Sequence, residues 1–456
     1  MHRTQAFVFY LLFGFNLPKA KGNCYFERSQ QRCVCPLLVE TEFYTLFNCL
    51  PATTYELREG NLEQFAVFSI IQTSPELIDY FNGLQVSKLI FTDLIVPEVL
   101  LPAAMQFLSF LPLVSELEFV NCTFLRSVDQ LGINKFNLQV SSLRFHKVTA
   151  APLDDRFDIS SLQNCLKTLE ILTVTESQVT SIPCKISTVL KTLHFLDLSG
   201  NHFQDQTLKT SFCRGAFSQL QVLKLHRNNL SSYETVCQTL AHLNRLTHLD
   251  LSRNDFLPGP PFSSCLWPQS LRVFNLSSTG LKHMDRALPP NIEVLDLSAN
   301  HIFILDLSIS GLKELYLSNN RLQTILSIKN LPGLEALSID QNQLSQLPTK
   351  DLLHWKHLKS LRAGLNPYNC SCKQTIREIQ GLATHKALLP DWPHDYICRS
   401  PPDYQDYLLD EVPLSLLQCN KAAVVRQGSI VCLLTCLHLV LGLVSLPTYR
   451  SQFVVL

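Results

Sequence analysis

The chain has 456 residues, 46% hydrophobic and 17% charged, enough to bury a large continuous core. Lys plus Arg and Asp plus Glu each number 38, so there is no basic excess to serve nucleic acid and no acidic tail. Sixteen cysteines, mostly in clusters and not in CxxC pairs, point to an oxidising compartment.

Residues 1–22 read as a secretory signal. His2 and Arg3 give a basic start, Ala6 to Phe15 is the apolar core, and Ala20-Lys21-Gly22 offers small residues for cleavage. The apolar run is too short to span a bilayer as a helix. A buried first helix is the blander reading, and the cysteines that follow argue against it.

Residues 23–54 carry Cys24, Cys33, Cys35 and Cys49 in the spacing C-x8-C-x-C-x13-C. The cluster reads as a cap over the apolar end of whatever follows. Zinc is the alternative for four cysteines, weakened by the poor fit of C-x-C to one tetrahedral ion and by the secretory context.

From Tyr55 to Phe91 large apolar residues outnumber what one strand and one helix need. Phe65, Phe68, Ile70, Ile71, Leu77, Ile78, Tyr80, Phe81, Leu84, Leu89 and Phe91 all compete for burial. They either fill a wide core or line an apolar cavity beside the cap.

Beyond Phe91 a pattern recurs, around Phe119, Phe145, Val174, Leu198, Leu225 and Leu251, and most clearly from Leu271 to Leu347. There each copy reads L-x-x-L-x-L-x-x-N-x-L, filled by Ile292, Leu295, Leu297, Asn300 and Ile302 and then by Leu312, Leu315, Leu317, Asn320 and Leu322. The L-x-L step has period 2, hence a short strand with both leucines on one face. The Asn falls where the chain leaves the strand, and its amide can both donate to and accept from backbone groups stranded in the turn. Such a unit cannot bury its apolar face alone, so residues 55–365 are expected to stack as an α/β leucine-rich-repeat solenoid, a bent horseshoe with parallel strands on the concave face and a disulfide-bonded cap at each end.

Spacing between early units is roughly 24–29 residues and tightens to the low twenties after Leu276, leaving room for convex-side helices only in the longer units. Asn stands at the turn position at 201, 228, 254, 300, 320, 342 and 366, and Cys122 substitutes in an early unit; Leu94 and Val148 do not fit. Cys184, Cys213, Cys237 and Cys265 sit on non-strand segments as staples, and Cys122 and Cys165 read as buried free thiols.

Residues 366–419 open on Asn366-Pro367-Tyr368-Asn369-Cys370-Ser371-Cys372 and add Cys398 and Cys419, the pattern of an extracellular C-terminal cap on a leucine-rich solenoid. Sequons at Asn121, Asn229, Asn275 and Asn369 predict glycans, and a sugar on Asn275 would obstruct part of the concave face. A spacer, 420–429, leads to an apolar tail, 430–456, with its run from Ile430 to Pro447. That tail is either a short membrane-spanning helix or a removable signal for a glycosylphosphatidylinositol anchor attached near Asn420. Arg450 is the only basic residue after the run, which favours the lipid anchor; Lys421 beside Asn420 counts against it. Either way the chain is expected on the extracellular face of the cell membrane, with a secreted form as a further expectation.

No phosphate-loop, dinucleotide, GxSxG or HExxH fingerprint occurs, so neither an enzyme nor a cofactor is expected. His354 and His357 lack a third ligand nearby and read as surface histidines. Asp197, Asp250 and Asp296 form a row, and Asp is common in that slot of such repeats. A binding module is the default reading.

Arg32-Cys33-Val34-Cys35, NLEQF from Asn61 to Phe65, the block from Cys265 to Ile302 and the central cysteine spacing together resemble the monocyte differentiation antigen family, lipopolysaccharide co-receptors of Toll-like receptors. The resemblance covers residues 24–345. It implies an apolar pocket for acyl chains lined by Phe65, Phe68, Ile71, Leu77, Tyr80, Phe81, Leu84, Leu89 and Phe91, in preference to a filled core. It implies disulfides Cys24–Cys35, Cys33–Cys49, Cys184–Cys213 and Cys237–Cys265. Arg28, Arg32, Arg58 and Lys88 become rim cations for lipid phosphates. The implied partners are bacterial lipids such as lipopolysaccharide, lipopolysaccharide-binding protein, a Toll-like receptor complex and a second copy of the chain. The cap from Cys370 to Cys419 departs from this family and looks more like Toll-like receptor ectodomains. The rival reading is a protein-binding leucine-rich receptor or decoy acting through the concave face, and a weaker one is an adhesion or matrix protein.

Overall fold

The L-x-L step forms a strand in coil after coil. The computed structural model describes residues 24–36, 49, 51–62, 85–97, 111, 113–125, 140–149, 166–257, 265–284, 286–325, 330–352, 356–384, 388–415 and 417. Residues 1–22, the pocket positions 65–84, Cys165, His354, Cys419 and the tail from 420 lie outside them. The strands are β1 (Tyr25–Glu27), β2 (Arg32–Pro36), β3 (Thr54–Asn61), β4 (Lys88–Pro97), β5 (Glu116–Val120), β6 (Thr123–Leu125), β7 (Ser142–His146) and β8 (Ile171–Thr175). They continue as β9 (Phe195–Asp197), β10 (Val222–Lys224), β11 (His248–Asp250), β12 (Val273–Asn275), β13 (Val294–Asp296), β14 (Glu314–Tyr316), β15 (Ala336–Ser338) and β16 (Ser360–Arg362). Among the described residues these make one 16-stranded sheet in chain order, with β6 off the path beside β4. Every pairing from β2 onward is parallel, and only β1 runs antiparallel, against β2. This is the leucine-rich solenoid that the repeat predicts.

In β9 to β14 the middle residue is buried and its two neighbours are half exposed or, at His248, fully exposed, as a strand with one face on the core requires. Leu196, Leu223, Leu249, Phe274, Leu295 and Leu315 thus line up inside. In the early coils the second inward position holds Phe. The rings of Phe91 and Phe119 stack at 4.7 Å, those of Phe119 and Phe145 at 5.3 Å, and Phe124 closes edge-on against Phe145. The N-terminal core is therefore aromatic where the later core is aliphatic.

Each coil leaves its strand through one left-handed residue. Asp93, Asn121, Lys147, Glu176, Gly200, Arg227, Arg253, Ser278, Ala299, Asn319, Gln341 and Leu365 all have φ between 51° and 69°. The next residue points inward, and from Asn201 onward it is the ladder Asn in all coils but one. Asn300 shows the pattern: Nδ2 donates to the Leu276 and Leu297 carbonyls at 2.9 Å each, and Oδ1 accepts from the Thr279 and Leu281 amides at 2.9 and 3.0 Å. Asn201, Asn228, Asn254, Asn320, Asn342 and Asn366 are buried in the same role. Two coils use hydroxyls instead. Ser177 Oγ accepts from the Val148 amide, and Thr279 Oγ1 donates to the Leu276 carbonyl. Leu94 and Val148 do occupy the ladder place, as their left-handed predecessors show, but supply no polar group. At Cys122 the thiol takes the donor role toward the Phe91 carbonyl at 3.3 Å.

Helices appear where the coils are long: α1 (Cys184–Ser187), α2 (Asp205–Ser211) and α3 (Tyr233–Leu240). Ser232 caps α3 by accepting from the Thr235 amide, and Tyr233, Val236, Cys237 and Leu240 form its buried stripe. Cys184–Cys213 and Cys237–Cys265 tie successive coils on this side, as the resemblance implies. Between β12 and β15 the described coils carry turns only, and α4 (Thr349–Leu352) follows.

Both ends are capped. At the start Cys24–Cys35 and Cys33–Cys49 are disulfides, which settles the zinc alternative: three of the sulfurs lie within 4.8 Å of one another, but all four are consumed. At the far end β17 (Tyr368–Asn369) pairs with β18 (Cys398–Ser400), Cys370 bonds Cys398, Cys372 is also disulfide-bonded, and α5 (Lys373–Thr384) packs behind. Asp391 Oδ2 accepts the Ala363 and Gly364 amides at 3.0 and 2.8 Å, standing in for the missing next coil. Gly364 is required there, since a Cβ would come within 2.3 Å of Asp395 Cβ.

Adjacent substitutions should act in opposite directions. Asn300→Ala leaves buried backbone groups unpaired and should cost on the order of 3 kcal/mol. Ala299→Gly relieves a left-handed residue and should be neutral or stabilising by up to about 1 kcal/mol. Denaturant midpoints of the two variants check this.

Candidate functional site

Two surfaces could carry function: the N-terminal coils beside the cap, and the open face of the sheet. Of the nine expected pocket residues the described part contains Leu89 and Phe91. Both lie on the inward face of β4, 6% and 3% exposed, with Phe91 in the aromatic stack. The other seven lie outside the described residues.

The expected rim cations sit on or beside the first strands, and three of the four already face carboxylates. Glu56, only 2% exposed, is the centre. Its Oε1 accepts from Arg58 Nε and, at 2.9 Å, from Thr92 Oγ1. Its Oε2 lies 2.6 Å from Arg32 Nη1, an ion pair off the line that a hydrogen bond needs. Arg32 also holds Glu27 through Nη2 at 2.6 Å, and Lys88 pairs with Glu118 at 2.6 Å. Parallel register explains the clustering, because it places Arg32 opposite Thr54, and Arg58 opposite Thr92. The cluster therefore fastens the cap strand to β3 and β4. Arg28, exposed in the β1–β2 turn, has no carboxylate partner among the described residues. Sequence reading picked out the cations but not Glu56, whose pattern position signals an exposed residue.

Farther along, the open face is polar. Asp197, Asp250 and Asp296 each accept the amide two residues on, at 3.0, 2.9 and 2.9 Å, so the row is a set of turn-stabilising acceptors. Arg272, Glu293, Lys313, Glu335 and Lys359 precede five consecutive strands and alternate in sign. Glu293 pairs with Arg272 at 3.5 Å and Lys313 at 2.7 Å, and Lys359 pairs with Glu335 at 2.6 Å. The hydrogen bond from Lys313 holds the Glu293 carboxyl below its usual range. Tyr316 donates to Glu314 Oε2 at 2.6 Å, and that bond leads the causes that push its phenol up to about 12. His357 is exposed and forms no metal cluster among the described residues.

Two substitutions test the chemistry of the N-terminal end. Glu56→Gln breaks a buried ion pair at one partner, and thermal melting should show a loss of about 3–5 kcal/mol. Cys122 is buried, and desolvation pushes its thiol up to about 11. At pH 8 iodoacetamide should leave the Cys122 peptide unmodified in the native protein and label it after denaturation, as peptide mass spectrometry would show.

Among the described residues no helix is long and apolar enough to cross a membrane. A family model described as Leucine Rich Repeat matches residues 311–331. Toll-like receptor 2 of Mus musculus is 34% identical over 397 residues, 85% of this chain and 48% of that protein. Toll-like receptor 2 type-2 of Gallus gallus is 33% identical over 382 residues, 82% and 46% respectively. The chain thus spans about half the length of the curated relatives it matches. Among solved structures, an internalin of Listeria monocytogenes is 20% identical, covers 68% of this chain and 82% of that one, and superposes with a TM-score of 0.45. These relatives do not name the co-receptor family that the cap and the Cys265 block resemble. By its coils the chain is a leucine-rich-repeat protein, and over most of its length it is similar to Toll-like receptor 2.

Proposed function

We propose that the chain is a pattern-recognition co-receptor that takes the acyl chains of bacterial lipids, lipopolysaccharide and lipopeptides, into an apolar pocket of its N-terminal coils and passes them to a Toll-like receptor complex. The observation that carries this reading is the similarity to Toll-like receptor 2 over most of the chain. The aromatic core of β4, β5 and β7 supports it, because β4 is the strand that follows the apolar stretch 65–84 in the sequence.

Burying acyl chain is worth roughly 0.8 kcal/mol per CH2, so about a dozen carbons half buried gain on the order of 5 kcal/mol. A lipid micelle offers similar burial. Net transfer is then nearly balanced, which suits a carrier that must both accept and release. At the rim, Arg28 is the expected cation that has no carboxylate partner among the described residues and can meet a lipid phosphate. Arg32, Arg58 and Lys88 would have to exchange a carboxylate for it, which favours release as well as binding. Presentation at the extracellular face of the membrane, by a glycosylphosphatidylinositol anchor in place of the tail, completes the proposal.

Leu84→Trp and Ile71→Trp fill a cavity, so if the pocket lies there they should melt near normally and lose binding of fluorescent lipopolysaccharide. In a packed core the same changes would cost about 1–3 kcal/mol and melt early. Early melting, or normal melting with retained binding, overturns the pocket. Tyr316→Ala and Arg362→Ala, far along the sheet, should leave lipid binding unchanged.

A further inference from the structure

We propose that the chain's own N-glycan at Asn275 lies down on the open face of β11 to β13 and closes that part of the concave face to protein partners. Asn275 is the last residue of β12, flanked by Phe274 and Leu276, both fully buried, so its side chain projects from the open face. It heads the sequon Asn275-Leu276-Ser277. Its Oδ1 accepts the Ser277 amide at 2.9 Å, which fixes the plane of the side-chain amide. Its Nδ2, the atom that carries the sugar, meets no acceptor among the described residues. The ladder asparagines differ: their Nδ2 groups are spent on buried carbonyls. Asn121 differs too, since its Nδ2 donates to Asp93.

Attachment is an ordinary displacement. The amide nitrogen bonds the anomeric carbon of a lipid-pyrophosphate-linked oligosaccharide, the carbon–oxygen bond to pyrophosphate breaks, and the nitrogen loses one proton. What the surface then offers is specific. Register puts Val273 beside Val294, and Asn275 between Asp250 and Asp296, on strands about 4.8 Å apart. Both valines are half exposed on the open face. Asp250 and Asp296 each turn one oxygen to their own backbone; the second oxygen of Asp250 lies 3.9 Å from His226 Nδ1, beyond hydrogen-bond reach, so it and that of Asp296 can still accept from an outside donor. A sugar ring has an apolar face of C–H groups and a rim of hydroxyl and N-acetyl donors. The valine pair matches the first and the two carboxylates match the second. Asn229, by contrast, is exposed at the turn after its ladder residue, away from the sheet.

The inference rests on the secretory reading of the chain, and the experiment separates the two. The full chain is expressed in animal cells, and glycopeptide mass spectrometry scores all four sequons. Diethyl pyrocarbonate footprinting then reads His248, the exposed residue opposite Val273. It is applied to the parent protein, to Asn275→Asp, which keeps the Oδ1 acceptor, and to Ser277→Ala, which keeps Asn275. Asn229→Asp serves as the control, and melting verifies folding. The expected result is an occupied Asn275, His248 modified severalfold faster in both Asn275-sequon variants and unchanged in the control. Native amidase release should also be slower at Asn275 than at Asn229. Sugar on other sequons with Asn275 bare overturns this proposal alone, as does an occupied Asn275 with equal His248 rates in every variant. No sugar at any sequon overturns the secretory reading with it. Should either variant fail to fold, the His248 rate in the amidase-trimmed parent protein takes its place: faster modification supports the proposal, and an unchanged rate overturns it.

Discussion

Everything in this molecule depends on how a coil leaves its strand without abandoning buried carbonyls. A parallel stack cannot hand those groups to water, because the next coil covers them. One left-handed residue turns the chain inward, and the amide behind it satisfies donors and acceptors of two coils at once. The inward leucines supply the burial free energy, but they are non-directional. The ladder is what fixes the pitch and register at which they meet.

The caps follow from the same constraint at the ends, where one neighbour is missing. At the start the chain folds β1 back onto β2 and locks the pair with two disulfides and the Glu56 ion cluster. At the other end Asp391 supplies the acceptor that a further coil would have offered, backed by Tyr396 donating to its other oxygen at 3.1 Å. The N-terminal third has apolar ladder residues at Leu94 and Val148 and an aromatic core. It is also the part to which the proposed lipid binding belongs.

The fold was legible because its signal is periodic. Ile292 to Ile302 and Leu312 to Leu322 state the strand, the turn and the amide outright, and the neighbouring coils obey. Ser177 and Thr279 escape notice because a hydroxyl does half of an amide's work, and only the preceding left-handed residue reveals their place. Arg32 and Lys88 read as free cations because Glu56 and Glu118 reach them from neighbouring strands, and cross-strand pairing leaves no trace in a linear sequence; Arg58 shares Glu56 from two residues back on its own strand. Of the candidate pocket, Leu89 and Phe91 are placed in the core by simple alternation along β4, whereas shape beside a cap is a matter of packing volume that no spacing encodes.

The repetition of the left-handed turn bears on how such a chain can change over generations. Each coil makes the same bonds to the one before and the one after, so the unit of tolerated change is a whole coil. Gain or loss of one full turn of the solenoid restores every partner across the splice. Gain or loss of a few residues within the strand-to-turn segment shifts an Asn out of register and orphans groups in two coils. Variation in length is thereby channelled to the side opposite the sheet, where long coils carry α1 to α3 and short ones carry turns.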